Sequence, residues 1–353
     1  MKDLTALTDE SIALLQKMVA IPSISRDEKS VADMLQEELT GCGLSVNRHN
    51  NNIWLKQSSW EDGKPVILLN AHIDTVKPAA GYTRDPFVPT IEGDTLYGLG
   101  TNDDGASVVS LLAVFRYFDE MPQAPFNLIF AATAEEEVSG RDGIESILPL
   151  IGPVDFGIVG EPTGMQMAVA EKGLMVLDCT AHGISGHAAR NEGVNAIYKA
   201  LTDIEWFRTH QWDRVSPFLG PVKMSVTQIN AGTQHNVVPD TCSFVVDVRV
   251  NELYDNKELL GLIKEHVSCD VKERSTRLNS SRIDVGHPIV RRGEALGMKL
   301  FGSPTLSDQA LMPFPTVKVG PGDSARSHSA DEYIRLSEIR EAVDIYVKLL
   351  RGF

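Results

Sequence analysis

Cysteine is scarce in this chain, and the few cysteines follow no pattern. The 353 residues include four cysteines, and no two of them form a Cys-x-x-Cys pair. This spacing gives no sign of a disulfide framework, so we interpret the cysteines as reduced thiols in a reducing compartment. Long apolar runs are also lacking, since a bilayer-spanning helix needs roughly 20 residues. The opening residues show no signal peptide, and we expect a cytoplasmic protein.

Positive charge is in short supply. Lysine and arginine number 33 against 48 aspartates and glutamates, which leaves a formal net charge of −15. A field of this sign repels nucleic acid and anionic membranes, so we expect neither as a partner. It favours a cationic ligand, although many acidic enzymes bind none.

Strand-like and helix-like patterns alternate over the first half of the chain. The run 65–71 is apolar at nearly every position, which suits a central strand covered on both faces. Such alternation predicts an α/β sheet, and ligands of such sheets gather beyond the carboxyl ends of the strands. We predict helices over 9–20, 27–40 and 106–118, and strands over 44–49, 52–56, 65–71, 126–133 and 155–160.

The pattern changes at Gly173. Residues 242–250 alternate between apolar and polar side chains, which predicts a half-buried, antiparallel sheet with helices over 195–208 and 257–267. The length of the chain also suits two domains. We therefore predict an α+β domain over 173–284, inserted into an α/β domain formed by 1–172 and 285–353. Within the insert, 272–283 is interpreted as the returning linker, and a last helix is expected over 336–350.

A metal ligand and its orienting acid are predicted where the strand 65–71 ends. His72 follows that strand directly, and Asp74 lies two residues later. A histidine that binds a metal is commonly oriented by a nearby carboxylate. Asp103, expected at the start of the helix 106–118, is placed to add a second ligand.

Further candidate ligands follow other strands and one late loop: Glu136 or Glu137, Glu161 and His328. Two imidazoles and three carboxylates suit two zinc-like ions with one carboxylate between them. A paired site of this kind activates a shared water and polarises a substrate carbonyl. Of two adjacent glutamates, one can bind metal while the other takes the proton of the water.

Each of these signals has a simpler explanation when it stands alone. A His-x-Asp pair is ordinarily part of a surface loop, and three consecutive glutamates ordinarily begin a solvated helix. Glu-Pro-Thr alone is typical of a turn, and a lone histidine in a Gly/Ser loop is ordinarily just a polar loop residue. The order of all the pieces along the chain, each after a strand or in a loop, outweighs these explanations.

Taken together, the motifs resemble those of the dinuclear-zinc aminoacylase and exopeptidase family, which includes acetylornithine deacetylase, succinyl-diaminopimelate desuccinylase and glutamate carboxypeptidase. The resemblance covers nearly the whole chain. It implies a zinc-exopeptidase-type catalytic domain with a mixed central sheet and two Zn²⁺ ions, for which Co²⁺ or Mn²⁺ can substitute. It further implies that His72, Asp103, Glu137, Glu161 and His328 bind metal, with Asp103 as the bridge, Asp74 as the orienting acid and Glu136 as the general base.

The same resemblance implies that the inserted domain is a ferredoxin-like lid that forms a homodimer. In Gly186-His187, the imidazole of His187 is expected to reach across the dimer to the carbonyl of a substrate bound in the partner subunit, where it would stabilise the oxyanion. A histidine that merely ends a strand is the simpler interpretation. Asn236 and Arg249 resemble lid residues that hold a substrate carboxylate. Arg249 also has a simpler explanation, pairing with a neighbouring strand.

The sequence departs from the family pattern near Asp103 and after His187. Gly98-Leu99-Gly100 and Asp103-Asp104-Gly105-Ala106 replace the usual Gly-Arg-Gly and Asp-x-Lys-Gly, and Ala188-Ala189-Arg190-Asn191 replaces Ser-Ala-His-Pro. Arg190 is suited to bind an extra carboxylate on the acyl group, as in a succinyl group.

Gly320-Pro-Gly-Asp-Ser, which precedes His328, resembles the acetylornithine deacetylase branch. We therefore expect a zinc-dependent hydrolase that removes the acyl group from an N-α-acyl amino acid, foremost N-acetyl- or N-succinyl-ornithine in arginine biosynthesis. Succinyl-diaminopimelate desuccinylase and a dipeptidase or carboxypeptidase on the same site are the alternatives, and a catalytically silent metal-binding module is the rival from another class.

Overall fold

The computed structural model describes residues 3–121 and 124–352, and the chain divides into two compact units. The larger unit comprises Met1–Val169, Arg282–Phe301 and Ser307–Phe353. The smaller unit comprises Ala170–Ser281 and Gly302–Leu306. The divisions therefore fall at 169/170 and 281/282, beside the predicted 172/173 and 284/285, and the short segment Gly302–Leu306 joins the smaller unit.

The regular elements have the following bounds. The helices are α1 (Leu4–Val19), α2 (Lys29–Gly41), α3 (Ala106–Asp119), α4 (Ile144–Ile151), α5 (Ala196–Thr209), α6 (Asn256–His266), α7 (Pro288–Ala295) and α8 (Leu336–Arg351). The strands are β1 (Val46–His49), β2 (Asn52–Lys56), β3 (Val66–His72), β4 (Thr90–Glu92), β5 (Thr95–Tyr97), β6 (Asn127–Thr133), β7 (Phe156–Val159), β8 (Met167–Glu171), β9 (Gly173–His182), β10 (Gly186–His187), β11 (Lys223–Ala231), β12 (Val237–Val238), β13 (Thr241–Val250), β14 (Asp270–Glu273), β15 (Ser281–Arg282), β16 (Leu300–Ser303), β17 (Thr316–Lys318) and β18 (Tyr333–Arg335).

The central sheet is mixed, as predicted. Its order is β1-β2-β6-β3-β7-β17-β8-β15, with β16 also beside β8. Strands β6, β3, β7 and β17 are mutually parallel, whereas β2 and β8 are antiparallel to their neighbours β6 and β17. Strand β3 lies inside this parallel group because both of its faces are apolar: Ile67 and Leu69 pack into one hydrophobic cluster and Leu68 into another.

Helix α3 explains how the turn before it reaches the end of β3. The helix is apolar on nearly every side, and it packs against β3 and β6 and against helices α1 and α8. Its burial fixes the irregular turn Thr101–Gly105 beside the carboxyl end of β3. A side chain on this turn therefore lies close to the side chains that follow β3.

The smaller unit has the predicted ferredoxin-like composition of a four-stranded antiparallel sheet and helices. The sheet order is β11-β13-β9-β14. On β13 the alternation is confirmed, because Cys242, Phe244, Val246, Val248 and Val250 are buried whereas the residues between them are half-buried or exposed. Helices α5 and α6 bury their apolar side chains in the same hydrophobic cluster.

Some local predictions need correction. The interval 272–283 is not only a linker, because it contains the end of β14 and all of β15. These short strands are polar and carry no clear alternation, so sequence periodicity does not mark them. Asp103 does not begin a helix; its backbone is non-helical (φ −127°, ψ 97°), and α3 starts at Ala106. No helix in residues 3–121 and 124–352 combines the length and apolarity that crossing a membrane requires.

Candidate metal centre

His72 and Asp74 form a buried pair at the carboxyl end of β3. The His72 side chain is 2% exposed and that of Asp74 is fully buried. His72 Nδ1 lies 2.9 Å from the Asp74 backbone oxygen and 3.4 Å from Asp74 Oδ1. The other ring nitrogen, Nε2, is directed to the neighbouring carboxylates. This is the arrangement of a metal-binding histidine whose second nitrogen is held by an acceptor.

Asp74 also orders the loop that follows β6. Its Oδ1 accepts the backbone N–H of Glu136 at 3.0 Å, and its Oδ2 accepts that of Glu137 at 3.1 Å. The Ser25 hydroxyl donates to Oδ2 at 2.7 Å. Asp74 therefore orients an imidazole and fixes the backbone of two adjacent glutamates, so the ends of β3 and β6 are joined by one carboxylate.

Asp103 lies between the two candidate histidines. Its Oδ1 is 3.2 Å from His72 Nε2, and its Oδ2 is 3.7 Å from His328 Nε2. Burial, the largest single influence, opposes ionisation of Asp103, but the hydrogen bond and charge of His72, the Ser327 hydroxyl and His328 together outweigh it and lower the pKa of the carboxyl. The two oxygens of one carboxylate thus face two different imidazoles.

The remaining predicted ligands complete two overlapping groups. His328 Nε2 lies 3.0 and 3.1 Å from the two carboxylate oxygens of Glu137. Glu161 follows β7 and joins the other side of the site. Two groups of three residues each offer ligand atoms that lie within 4.8 Å of one another. One group is His72, Asp103 and Glu137, and the other is His72, Glu136 and Glu161.

The electrostatics of this cluster fit a bound cation. Burial raises the pKa of Glu136 well above its ordinary value, and the carboxylates of Glu161, Asp308 and Glu137 raise it further. Burial likewise raises the pKa of Glu161, although Lys318 opposes the shift. Several carboxylates collected in a low dielectric repel one another, and a divalent cation relieves that repulsion. The donor set of imidazoles and carboxylates is also one that Zn²⁺ accepts.

Two buried carboxylates beside the centre were not predicted from the sequence. Asp308 Oδ2 accepts hydrogen bonds from Asn70 Nδ2 at 2.9 Å and from Thr133 Oγ1 at 2.8 Å, at the ends of β3 and β6. Glu332 accepts backbone N–H groups near Asp103. Neither residue follows a strand of the parallel group. The only available signal was the position of Glu332, four residues after His328.

The four predicted residues of the inserted domain all lie in the smaller unit. His187 is exposed on β10, and its Nδ1 accepts the N–H of Ala189 at 3.1 Å. The Asn236 backbone oxygen accepts the N–H of Ala188 at 3.0 Å, so Asn236 is next to the loop that follows His187. Arg190 is exposed in that loop, 3.7 Å from Glu192.

Arg249 has an acidic partner, but on its own strand rather than on the neighbouring strand that its simpler explanation names. Its guanidinium forms two hydrogen bonds, of 2.9 and 3.1 Å, with the carboxylate of Asp247 on the same strand. Both side chains are partly exposed. The guanidinium therefore has an acidic partner within its own strand.

Comparison with known proteins identifies the family. Residues 68–352 match the model of peptidase family M20/M25/M40, and the chain belongs to this family. It is 23% identical to the succinyl-diaminopimelate desuccinylase of Delftia acidovorans over 97% of both chains. It is 30% identical to the succinyl-diaminopimelate desuccinylase of Dechloromonas aromatica over 69% of this chain and 68% of that protein.

The fold is shared with a solved structure of the same family. A dinuclear metal-binding M20 peptidase of Bacillus subtilis superimposes with a TM-score of 0.74 over 98% of both chains, at 16% sequence identity. The predicted fold, an α/β catalytic domain with an inserted α+β domain, is confirmed.

Proposed function

We propose that this protein is an amide hydrolase that binds two divalent cations. His72 and Glu161 would hold one cation, Glu137 and His328 would hold the other, and Asp103 would contribute to both. The observation that carries this proposal is the position of Asp103, whose two oxygens face His72 and His328 separately. Zn²⁺ suits these ligands, and Co²⁺ and Mn²⁺ are suitable substitutes.

Glu136 is the proposed general base. Its carboxylate lies in the group of His72 and Glu161, while the adjacent Glu137 pairs with His328. The bound cations supply Lewis acidity, which polarises a carbonyl and makes water more acidic. Glu136 accepts the proton of the attacking water and passes it to the departing amine nitrogen, so that the C–N bond of the amide breaks and a free carboxylate and amine leave. Burial among neighbouring carboxylates raises the pKa of Glu136 above its ordinary value, which favours its accepting a proton.

His187 is the proposed donor to the developing oxyanion. Because Nδ1 accepts the Ala189 N–H, a neutral His187 carries its proton on Nε2, which leaves that nitrogen as an outward-facing donor. A donor of this kind stabilises negative charge on a carbonyl oxygen. Asn236, beside the same loop, is proposed to contact the substrate carboxylate, and Arg249 can do so only by sharing its guanidinium with Asp247.

N-succinyl-diaminopimelate is the substrate that we propose first. Both relatives named above are succinyl-diaminopimelate desuccinylases, which favours this substrate over the acyl-ornithine expected from the sequence. The exposed guanidinium of Arg190 is suited to the extra carboxylate of a succinyl group. N-acyl-ornithine, and with it a role in arginine biosynthesis, is the second candidate because of the Gly-Pro-Gly-Asp-Ser sequence before His328.

A homodimer through the inserted domain is also proposed. β11 is an edge strand of the smaller unit, and Ile229 on it is exposed. Helix α5, which packs against β11, exposes Tyr198 and Leu201. An exposed strand edge beside exposed apolar side chains is a typical protein–protein contact surface.

A comparison of substrates tests the function. Zinc-loaded protein is given N-succinyl-diaminopimelate, N-succinyl-ornithine, N-acetyl-ornithine or a dipeptide, beside a control treated with chelator. We expect chelator-sensitive hydrolysis with the highest kcat/KM on N-succinyl-diaminopimelate. A higher kcat/KM on an acyl-ornithine would move the assignment to arginine biosynthesis, and hydrolysis of the dipeptide alone would make the protein a peptidase.

A further inference from the structure

Glu332 is a buried residue whose carboxylate accepts hydrogen bonds from the backbone around Asp103. The residue is 2% exposed. Its Oε1 accepts the N–H of Asn102 at 2.8 Å and that of Asp103 at 2.9 Å, and its Oε2 accepts the N–H of Gly100 at 3.1 Å. Both carboxylate oxygens are thereby used, and the three donors belong to four consecutive residues.

The segment around Asp103 needs such an acceptor because it is neither helix nor strand. Gly98 and Gly100 have positive φ angles of 149° and 78°, and Asp103 has non-helical angles. A Cβ at Gly100 would lie 2.7 Å from Thr75 Cγ2, so the chain passes too close to its neighbour for a larger residue. The N–H groups of Asn102 and Asp103 have no strand or helix partner, and leaving them unpaired in the interior is costly.

A second set of contacts joins the same two stretches of chain. Asn102 Nδ2 donates to the backbone oxygen of Asp323 at 3.1 Å and to Ser327 Oγ at 3.3 Å. In return, Asn102 Oδ1 accepts the N–H of Asp323 at 3.0 Å. Asp323 and Ser327 precede His328, and Glu332 follows it. The loop that carries His328 is therefore fastened to the Asp103 segment on both sides of the histidine.

We propose that Glu332, assisted by Asn102, is a positioning residue of the metal centre, which sets the place of Asp103 relative to His328. Its carboxylate holds the backbone of one predicted ligand, Asp103, and it lies in the loop of another, His328. The carboxylate of Asp103 can face both imidazoles only while the Asp103 segment and the His328 loop keep their relative positions. Removing the Glu332 carboxylate therefore weakens cation binding, even though every ligand is retained.

The test is the affinity of metal-free Glu332→Gln for Co²⁺, read from visible absorption and from calorimetric titration. The substitution preserves size, but one acceptor oxygen becomes an NH₂ group that opposes a backbone N–H. We expect Kd for Co²⁺ to rise roughly 10- to 100-fold, the usual effect of losing a group that orients a metal ligand. A lower melting temperature with an unchanged Kd would make Glu332 merely structural and overturn the proposal.

Asp203 in the smaller unit provides a matched control. It is 3% exposed and accepts the backbone N–H groups of Ser268 and Cys269, each at 3.0 Å. Asp203→Asn removes the same kind of bond from a part of the chain that holds none of the metal candidates. We expect a lower melting temperature with unchanged Kd for Co²⁺, so a Kd that rises as much as in Glu332→Gln would contradict a specific role.

Asn102→Ala carries the test if Glu332→Gln does not fold. It cuts the other connection between the two stretches, so a raised Kd in a folded protein supports the proposal and an unchanged Kd overturns it. The proposal adds a positioning residue to the metal centre, and it rests on the proposed function. Because metal affinity is measured without substrate, a failure of the deacylase assignment is distinguishable from a failure here.

Discussion

At the scale of single residues, two adjacent glutamates are separated by their contacts. Glu137 pairs with His328, whereas Glu136 belongs to the group with His72 and Glu161. We predict that Glu136→Gln retains bound metal but loses about 10²- to 10⁴-fold in kcat, because the proton acceptor is gone while the ligands stay. Metal analysis and steady-state kinetics on one preparation check this.

Glu135→Gln is the control for that substitution. Glu135 precedes Glu136 directly and belongs to neither group of metal candidates. We expect it to keep most of the parent turnover. Near-normal turnover in Glu136→Gln would remove Glu136 from the role of general base.

Asp308 gives a prediction for pH. Burial raises its pKa to about 6, against an ordinary value of 3.8, although hydrogen bonds from Asn70 and Thr133 oppose the shift. Between these two pH values the folded protein keeps a proton that the unfolded chain has released. The contribution of Asp308 to stability is therefore present below about pH 4 and is lost as the pH rises through about 6.

The substitution Asp308→Asn removes this dependence. In chelator-treated protein, we compare the melting temperature of Asp308→Asn minus that of the parent at about pH 4 and about pH 6.5, which lie on either side of the pKa shift. This difference should be more positive at the higher pH, where the parent has lost the contribution of protonated Asp308. An equal difference at the two pH values would show that Asp308 does not titrate in this range.

Residues differ in how far the sequence predicts them. His72, Asp74, Glu136 and Glu161 follow strands that are visible as apolar runs, so local pattern and the general rule for α/β sheets suffice. Glu332 and Asp308 act through contacts with residues at least 175 positions away. Glu332 bonds to backbone N–H groups, which every residue except proline has, so no sequence motif indicates its role.

At the scale of elements, β3 organises the larger unit because it is packed on both faces. We predict that Leu69→Ala, on this strand between Phe130 and Ile158, lowers the free energy of unfolding by about 2–5 kcal/mol. Urea denaturation monitored by circular dichroism checks this.

Leu150→Ala, on α4, is the matched control, since Leu150 is 48% exposed. Its effect should stay within about 0.5 kcal/mol. Equal losses for both substitutions would contradict the central position of β3.

Long apolar elements were predicted well, and short polar ones were not. The strand over 52–56 has the predicted bounds, and α3 ends one residue after the predicted 118. Helix α1 begins at Leu4 rather than at 9, because Asp3 caps it by accepting the N–H of Thr5. The turn Thr101–Gly105 was not predicted, because the N–H groups of Asn102 and Asp103 pair with Glu332, which lies far along the chain.

At the scale of the whole molecule, the proposed homodimer leads to a test of assembly. We expect sedimentation to give a dimer for the parent and a monomer for Ile229→Asp, since a charge on the edge strand opposes pairing with a second copy. Val88→Asp, at an exposed apolar position of the larger unit, should remain dimeric. A dimer that survives Ile229→Asp would place the contact elsewhere.

The central claim is that two cations and Glu136 together hydrolyse an acyl amide. The most direct measurement adds Zn²⁺ in steps to metal-free protein and records bound metal and N-succinyl-diaminopimelate hydrolysis on the same samples. We predict saturation at two ions per chain with turnover that rises alongside, and metal binding without turnover in Glu136→Gln. Full loading with two ions and no hydrolysis of any acyl amino acid or dipeptide would contradict the claim.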